Sequence, residues 1–293
     1  MIALTLLLCT TRPAIFAVGD GQTYSRIEDA LRAAHEGDTI DVYPIIGGYS
    51  KTALLIKTPG LTIEGVGKHQ VLIRGDDFDY SGSGQVPRAI FQVAADRVTI
   101  KNFDLARAHN QSYNAAGIRI DAASNVTVKD CDIRGNDMGV MSNGIKGNPH
   151  AAENLLFENC DVHENGNEKD AGYNHNFYLG GTSATISNCR ISNALTGHNV
   201  KSRLHYLLIK ECLIDGAENR EIDLVDSWDT ERPNSNVVIQ KTFIKKSSSQ
   251  KGNHEVVHFG QEKASVKARS ICLETSFKPH TPPRLSTCHR PPP

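Results

Sequence analysis

Six stretches of the chain can be laid over one another without a gap: VTIKNFDL (98–105), VTVKDCDI (126–133), LLFENCDV (155–162), ATISNCRI (184–191), LLIKECLI (207–214) and VVIQKTFI (237–244). Each reads apolar, any, apolar, polar, polar, small or apolar, any, apolar. The alternation marks a strand with one buried face, the polar pair a bend, and the remainder a second short strand. Phe103, Cys131, Cys160, Cys189, Cys212 and Thr242 share one column, and Asn102, Asp130, Asn159, Asn188 and Glu211 fill the bend column beside it. Asn and Asp tolerate left-handed backbone and bond neighbouring main chain, as a recurring corner requires. A strand, bend, strand unit recurring every roughly 20–30 residues specifies a β-solenoid, in which each coil buries its apolar side against the next.

A further strand column follows: GIRID (117–121), GVMSN (139–143), NFYLG (176–180), NVKSR (199–203), EIDLV (221–225) and VVHFG (256–260). Ile118, Val140, Phe177, Val200, Ile222 and Val257 are expected inside, with Ile120, Leu179 and Leu224 two places on. Ser142 and Ser202 interrupt that second apolar column. Because side chains alternate, Arg119, Met141, Tyr178, Lys201, Asp223 and His258 form an outward row. Ahead of the repeats, residues 23–42 read as a short amphipathic helix and a strand, with Ile27, Ala30, Leu31 and Ala34 on one helical face. Such a helix would cover the first coil, which otherwise exposes apolar side chains and unpaired backbone.

The balance of 32 Lys and Arg against 33 Asp and Glu gives no basic surface for nucleic acid or anionic membrane. No CxxC or Cys/His cluster has zinc spacing. The cysteine column, at intervals of 29, 29 and 23 residues, predicts inward thiols stacked coil on coil, not disulfide partners. Residues 1–17, MIALTLLLCTTRPAIFA, read as a secretory signal with cleavage after Ala17, and the run is too short to span a membrane. The expected location is therefore secreted or periplasmic, with no transmembrane segment. The solenoid is expected over 18–262, and 263–293, basic and Pro-rich without a recognisable coil signature, as an irregular tail. Nothing in the pattern fixes an oligomeric state.

The opening GQTYSRIEDALRAAHEGDTIDV resembles the start of right-handed parallel β-helices of the pectin-lyase-like superfamily. LTIEGVG (61–67), AGIRID (116–121), NHNFYLGG (174–181) and GHNVKSR (197–203) are similar to bacterial right-handed β-helix repeat proteins, a narrower group with no assigned reaction. The resemblance spans about residues 20–262. It implies an all-β, single-stranded right-handed parallel β-helix with a short N-terminal capping helix, and polysaccharide as the partner. It is specific for fold and weak for chemistry. The paired aspartates of polygalacturonases, the DPHD-like motif of alginate epimerases and the Trp-x-Asp-His pattern of pectate lyases are missing, and the one tryptophan is Trp228.

Long connections at 106–116, 163–175, 143–154 and 226–236 are expected to rise on both sides of the outward row, since loops in a repeat array concentrate where function is built. With coils about 4.8 Å apart, neighbours in the row could act on one sugar unit, and a groove along the row suits a polymer. The candidate catalytic residues are Lys201, His198, Tyr178, His175 and Arg203. The candidate substrate contacts are Arg119, Asn176, Asn199, Asp223 and His258. On a uronate, Arg203, Arg119 or a metal would neutralise the carboxylate and acidify the adjacent C–H. A base then takes that proton while an acid protonates the leaving oxygen. That reading is a lyase for an acidic glycan. Its alternatives are a non-catalytic glycan-binding solenoid, and a glycoside hydrolase using Asp223 with Glu221 or Asp226. Blander roles are also consistent with the pattern: His175 and His198 as corner residues bonding backbone, and Lys201 with Asp223 as an ion pair. Ca²⁺ could be held by the acidic column Asp104, Asp132 and Asp161 or by RGDDFDY (74–80).

Overall fold

A computed structural model describes residues 12–84, 86–170, 172–246, 251–260 and 270–274. Its strands form three sheets of ten, eight and eight strands. Neighbours in a sheet are three strands apart along the chain, apart from the opening pair of the first sheet, and the named strands pair in parallel throughout. Each coil therefore places one strand in each sheet, as in Thr127–Lys129, Asp132–Arg134 and Met138–Asn143, before the next coil stacks on it. This is a right-handed parallel β-helix.

The bend column explains how each coil turns. Asn102, Asp130, Asn159, Asn188, Glu211 and Lys241 all have φ between 46° and 63°. Their amides donate to the next coil where it is described, as Asp130 N–H does to Glu158 O at 3.0 Å and Asn159 N–H to Ser187 O at 3.1 Å. The Asn side chains bond one another as well: Asn188 Nδ2 to Asn159 Oδ1 at 2.5 Å, and Asn159 Nδ2 to Asp130 Oδ1 at 3.2 Å.

Register fixes the core. Ile40, Ile63, Ile100, Val128, Phe157, Ile186, Ile209 and Ile239 succeed one another along the first sheet, all buried. The predicted inward column of the third sheet is likewise aligned, fully buried from Ile118 to Ile222 and half-buried at Val257. Burying each such side chain contributes about 1.5–3 kcal/mol. The helix Ile27–Ala33 closes the first coil as expected, with Ile27 and Ala30 buried, Ala34 nearly so and Leu31 packed against the core.

The cysteine column is a ladder of free buried thiols. The amide of Cys160 donates to Cys189 Sγ at 3.4 Å and that of Cys189 to Cys212 Sγ at 3.5 Å, while each thiol donates to the carbonyl two residues back. Thr242 ends the column with the same pattern, its hydroxyl accepting from Cys212 N–H and donating to Gln240 O. Bonding to Cys160, and then burial, push the Cys189 thiol up to about 12.

Two boundaries differ from expectation. Ser270–Glu274 is a tenth strand of the first sheet, pairing Ile271 with Val237 and Leu273 with Ile239. ICLETSFK is thus a degenerate copy of VVIQKTFI, hidden by the polar residues around it; the remainder of the expected tail lies outside the described residues. At the other end, Ile15–Val18 pairs in register with Thr39–Val42. Cleavage after Ala17 would therefore cut the first strand, whereas residues 1–11 of the expected signal lie outside the described residues.

Two outcomes are expected. Mass-spectrometric mapping after alkylation of native protein will find Cys131, Cys160, Cys189 and Cys212 unlabelled, and labelled after denaturation. A chain spanning 18–262 will melt several degrees below one spanning 12–274, because it lacks an edge strand at each end of the first sheet. Equal midpoints would show that these strands add nothing.

Candidate functional site

The outward row exists in the predicted register: Gln92, Arg119, Met141, Tyr178, Lys201, Asp223 and His258 are successive partners along the third sheet. The row divides into two parts. Arg119, Met141 and Tyr178, with Arg203, line a pocket of about 430 Å³ whose far wall is Asp226, Trp228 and Asp229. Lys201, Asp223 and His258 form a polar cluster further along.

In the pocket, Arg119 is oriented by Nη2, which donates to Asn114 O at 3.0 Å and contacts Met141 Sδ at 3.1 Å. The Arg203 guanidinium lies 5.1 Å from the centre of the Tyr178 ring, a cation–π contact, and the His175 ring meets the same tyrosine edge-on at 5.3 Å. The two long connections 143–154 and 226–236 are joined at the far wall, where Arg232 Nη1 donates to Pro149 O at 3.3 Å. The other two, 106–116 and 163–175, meet through Asn174 Nδ2 and Tyr113 O at 2.5 Å.

The polar cluster is centred on Asp223, whose side chain is 3% exposed. Its Oδ2 lies 3.4 Å from Lys201 Nζ and 3.3 Å from His198 Nε2; its Oδ1 lies 3.4 Å from Arg220 Nη1 and 2.7 Å from His258 Nδ1. Lys201 and Asp223 are thus an ion pair, as the blander reading expected. Unlike an exposed pair, this one is nearly shut off from water, and losing Asp223 would remove the carboxylate that Lys201 and Arg220 share.

His175 and His198 do not stand at the groove's edge. They are buried, stacked at 4.9 Å and 12° between planes. Their role at the corner is to accept: His198 N–H donates to His175 Nδ1 at 3.0 Å, and Arg220 N–H to His198 Nδ1 at 3.1 Å. Gly197 makes this approach feasible, since a Cβ there would lie 2.5 Å from His175 Nδ1. With Nδ1 accepting, each ring carries its proton on Nε2 and is neutral. Burial pushes His175 well below the ordinary imidazole range, and lowers His198 to about 4 despite the Asp223 carboxylate.

Asn176 and Asn199 are also corrected: both are fully buried. They belong to an internal ladder in which Asn165 Nδ2 donates to Asn176 Oδ1 (2.8 Å), Asn176 Nδ2 to Asn199 Oδ1 (2.7 Å) and Asn199 Nδ2 to Glu221 Oε2 (2.5 Å). The residue ahead of the strand sits at the corner, where the side chain turns in to satisfy backbone. Glu221 ends the ladder, accepting from Ala217 N–H with Lys246 Nζ at 3.7 Å, so it is unable to serve a hydrolase in the groove. Sequence reasoning named Asp226, as a hydrolase candidate, but missed Trp228 and Asp229 beside it on the wall of the pocket. The length of their loop was the signal.

At the candidate Ca²⁺ positions Asp104, Asp132 and Asp76 are each met by a basic side chain. Arg134 Nη2 donates to Asp104 at 2.7 Å, His163 Nε2 lies 3.1 Å from Asp132, and Arg74 and Arg107 flank Asp76. Among the described residues no three His, Cys, Asp or Glu converge as a metal-binding group. Nor is any helix among them long and apolar enough to cross a membrane.

Because folding favours neutral His198, the native chain binds fewer protons than the unfolded chain between pH 4 and about 6.5. Its contribution is complete above that window and is lost as pH falls through it, on the order of 3 kcal/mol. Chemical denaturation of wild type and His198→Gln at successive pH values should show the difference between them shrinking on acidification. A difference constant over that range would refute the assignment.

A family model described as "Right handed beta helix region" matches residues 116–257. No curated protein matches the chain in sequence. Among solved structures, pectin methylesterase PemA from Erwinia chrysanthemi is similar at TM-score 0.55 and 14% identity, over 80% of this chain and 79% of that one. Escherichia coli ybhc gives 0.58 and 14%, over 85% and 76%. A pectin methylesterase in complex with hexasaccharide VII gives 0.57 and 12%, over 78% of each. At such identities the likeness bears on fold alone, and together with the coil topology it leads to one conclusion: the chain has the fold of a right-handed parallel β-helix.

Proposed function

We propose that this protein is an extracytoplasmic, polysaccharide-active β-helix that cleaves an acidic, uronate-containing glycan by β-elimination. The observation that carries the reading is the convergence of Arg119 and Arg203 on one open pocket with Tyr178 and Trp228. Guanidinium groups present a fixed fork of donors that matches a carboxylate, and an exposed indole offers a flat apolar face to a sugar ring. That a structural neighbour was solved with a hexasaccharide bound is in keeping with a glycan partner.

In this mechanism Arg203 and Arg119 neutralise the uronate carboxylate and acidify the C–H beside it. Loss of that proton forms the double bond as the glycosidic oxygen leaves with a proton. Of the acid and base candidates, His175 and His198 are buried and neutral, and Lys201 is held by Asp223. Tyr178, lining the pocket beside the Arg203 cation, is the group we assign to both transfers: its phenolate oxygen takes the C–H proton and the resulting hydroxyl returns it to the leaving glycosidic oxygen. Lys201 and His258 position Asp223 and the neighbouring rim.

One observation favours hydrolysis as a second reading. Two carboxylates, Asp226 and Asp229, line the same pocket, and burial raises Asp229 above the usual carboxylate range.

The test is an ultraviolet assay of the full chain on a panel of uronate polymers, with and without Ca²⁺. Growth of unsaturated-uronate absorbance is expected, falling roughly 10²–10⁴-fold in Tyr178→Phe, with Arg203→Ala losing affinity for acidic polymers. New reducing ends without that absorbance would transfer the assignment to hydrolysis. Binding with neither product would leave a glycan-binding solenoid.

A further inference from the structure

Trp228 is the chain's one tryptophan, and it is 43% exposed. Its mount is unusually rigid for a surface loop. Ser227 Oγ accepts from Asp229 N–H at 3.0 Å and donates to Arg203 O at 3.0 Å, and Thr230 Oγ1 accepts from Ser227 N–H at 3.0 Å. Asp229 Oδ2 accepts from Gly181 N–H at 3.1 Å. The short helix Trp228–Glu231 is thereby fixed to two other coils before any ligand arrives, and an indole held in place loses little freedom on stacking.

On the other side of Trp228 lies a second pocket of about 550 Å³, whose walls include Ile145, Lys146, Pro149, Arg232 and Pro233. Trp228 and Asp229 line both pockets, so the two depressions adjoin at the indole. The second pocket follows directly on the strand Met138–Asn143, in the direction in which that strand runs. A path from Tyr178 over Trp228 to Lys146 therefore crosses the solenoid instead of following the row of stacked side chains.

We infer that the acidic glycan of the proposed function lies across the solenoid, with one sugar unit in each pocket and a ring stacked on Trp228, and that the pocket at Ile145 to Pro149 is a second sugar subsite. The inference rests on the reading of the first pocket as a uronate site. The second pocket joins apolar walls to two basic side chains, Lys146 and Arg232, which can meet the carboxylate of a further unit, and to Asp229 and Glu231, which can accept from its hydroxyls.

Because Trp228 is the sole tryptophan, the emission of the unaltered protein reports on this position. The full chain would be titrated with galacturonic acid, its oligomers of increasing length and neutral glucose oligomers, with calorimetry alongside. Acidic oligomers long enough to reach past Trp228 are expected to shift the emission to shorter wavelength by more than the monomer does. Trp228→Ala should weaken long oligomers about tenfold, Trp228→Phe should restore most of the loss, and Lys146→Ala should weaken the long oligomers and spare the monomer. Far-ultraviolet circular dichroism checks that each variant is folded.

Acidic oligomers that bind by calorimetry without moving the emission, with full affinity in Trp228→Ala, would overturn the crossing path and leave the proposed function standing. A shift produced by glucose oligomers alone would keep the subsite but overturn its acidic ligand and the uronate reading. Silence in both measurements across the whole panel would overturn both.

Discussion

The structure depends on the hydrogen bonds that run from each coil to the next. The bend residues Asn102, Asp130, Asn159, Asn188 and Glu211 turn the chain at positive φ without ending the ladder, because each amide still finds a carbonyl one coil on. The coil cannot slip by one residue, since a slip would turn every apolar side chain outward and every charged one inward. Columns follow from this, and the columns are what give the molecule both a core and an outward row with fixed partners.

Polar residues inside the solenoid serve the same ladder. Asn165, Asn176 and Asn199 and the two stacked histidines meet backbone groups at the corners where strands begin. A buried amide or amine without a partner costs more than a typical hydrogen bond gains, so these side chains are structural necessities. The four thiols do this work on the opposite corner, with Thr242 as an equivalent. Asp223 links the interior to the groove, drawing together Lys201, Arg220, His198 and His258 at the surface end of the histidine column.

What could be read from the sequence follows from this geometry. Within a strand, alternation decides the direction of a side chain, so Arg119, Tyr178, Lys201, Asp223 and His258 were assignable to one row from the sequence. Just ahead of a strand that rule lapses, and His175, Asn176, His198, Asn199 and Glu221 look like site residues while facing inward. Their residue types are the same in either role, and only the location of nearby backbone amides separates the two. The length of the loop bearing Trp228 and Asp229 marked it as part of the groove, but where those two side chains would come to rest was beyond reach for another reason. The loop folds back over earlier coils, and sequence periodicity carries no information about where an excursion of that kind comes down.

The rigid spacing of the coils also limits how such a protein can adapt. Groups carried on the sheet can be separated only by whole multiples of about 4.8 Å along the axis, a ruler that no substitution can rescale. A loop that leaves the stack escapes this restriction. The segment bearing Trp228 can be lengthened, shortened or tilted with the ladder undisturbed, and so can the one bearing Lys146. In a lineage of such solenoids the stacked row would hold the constant part of a ligand, and the overhanging loops would follow changes in its shape.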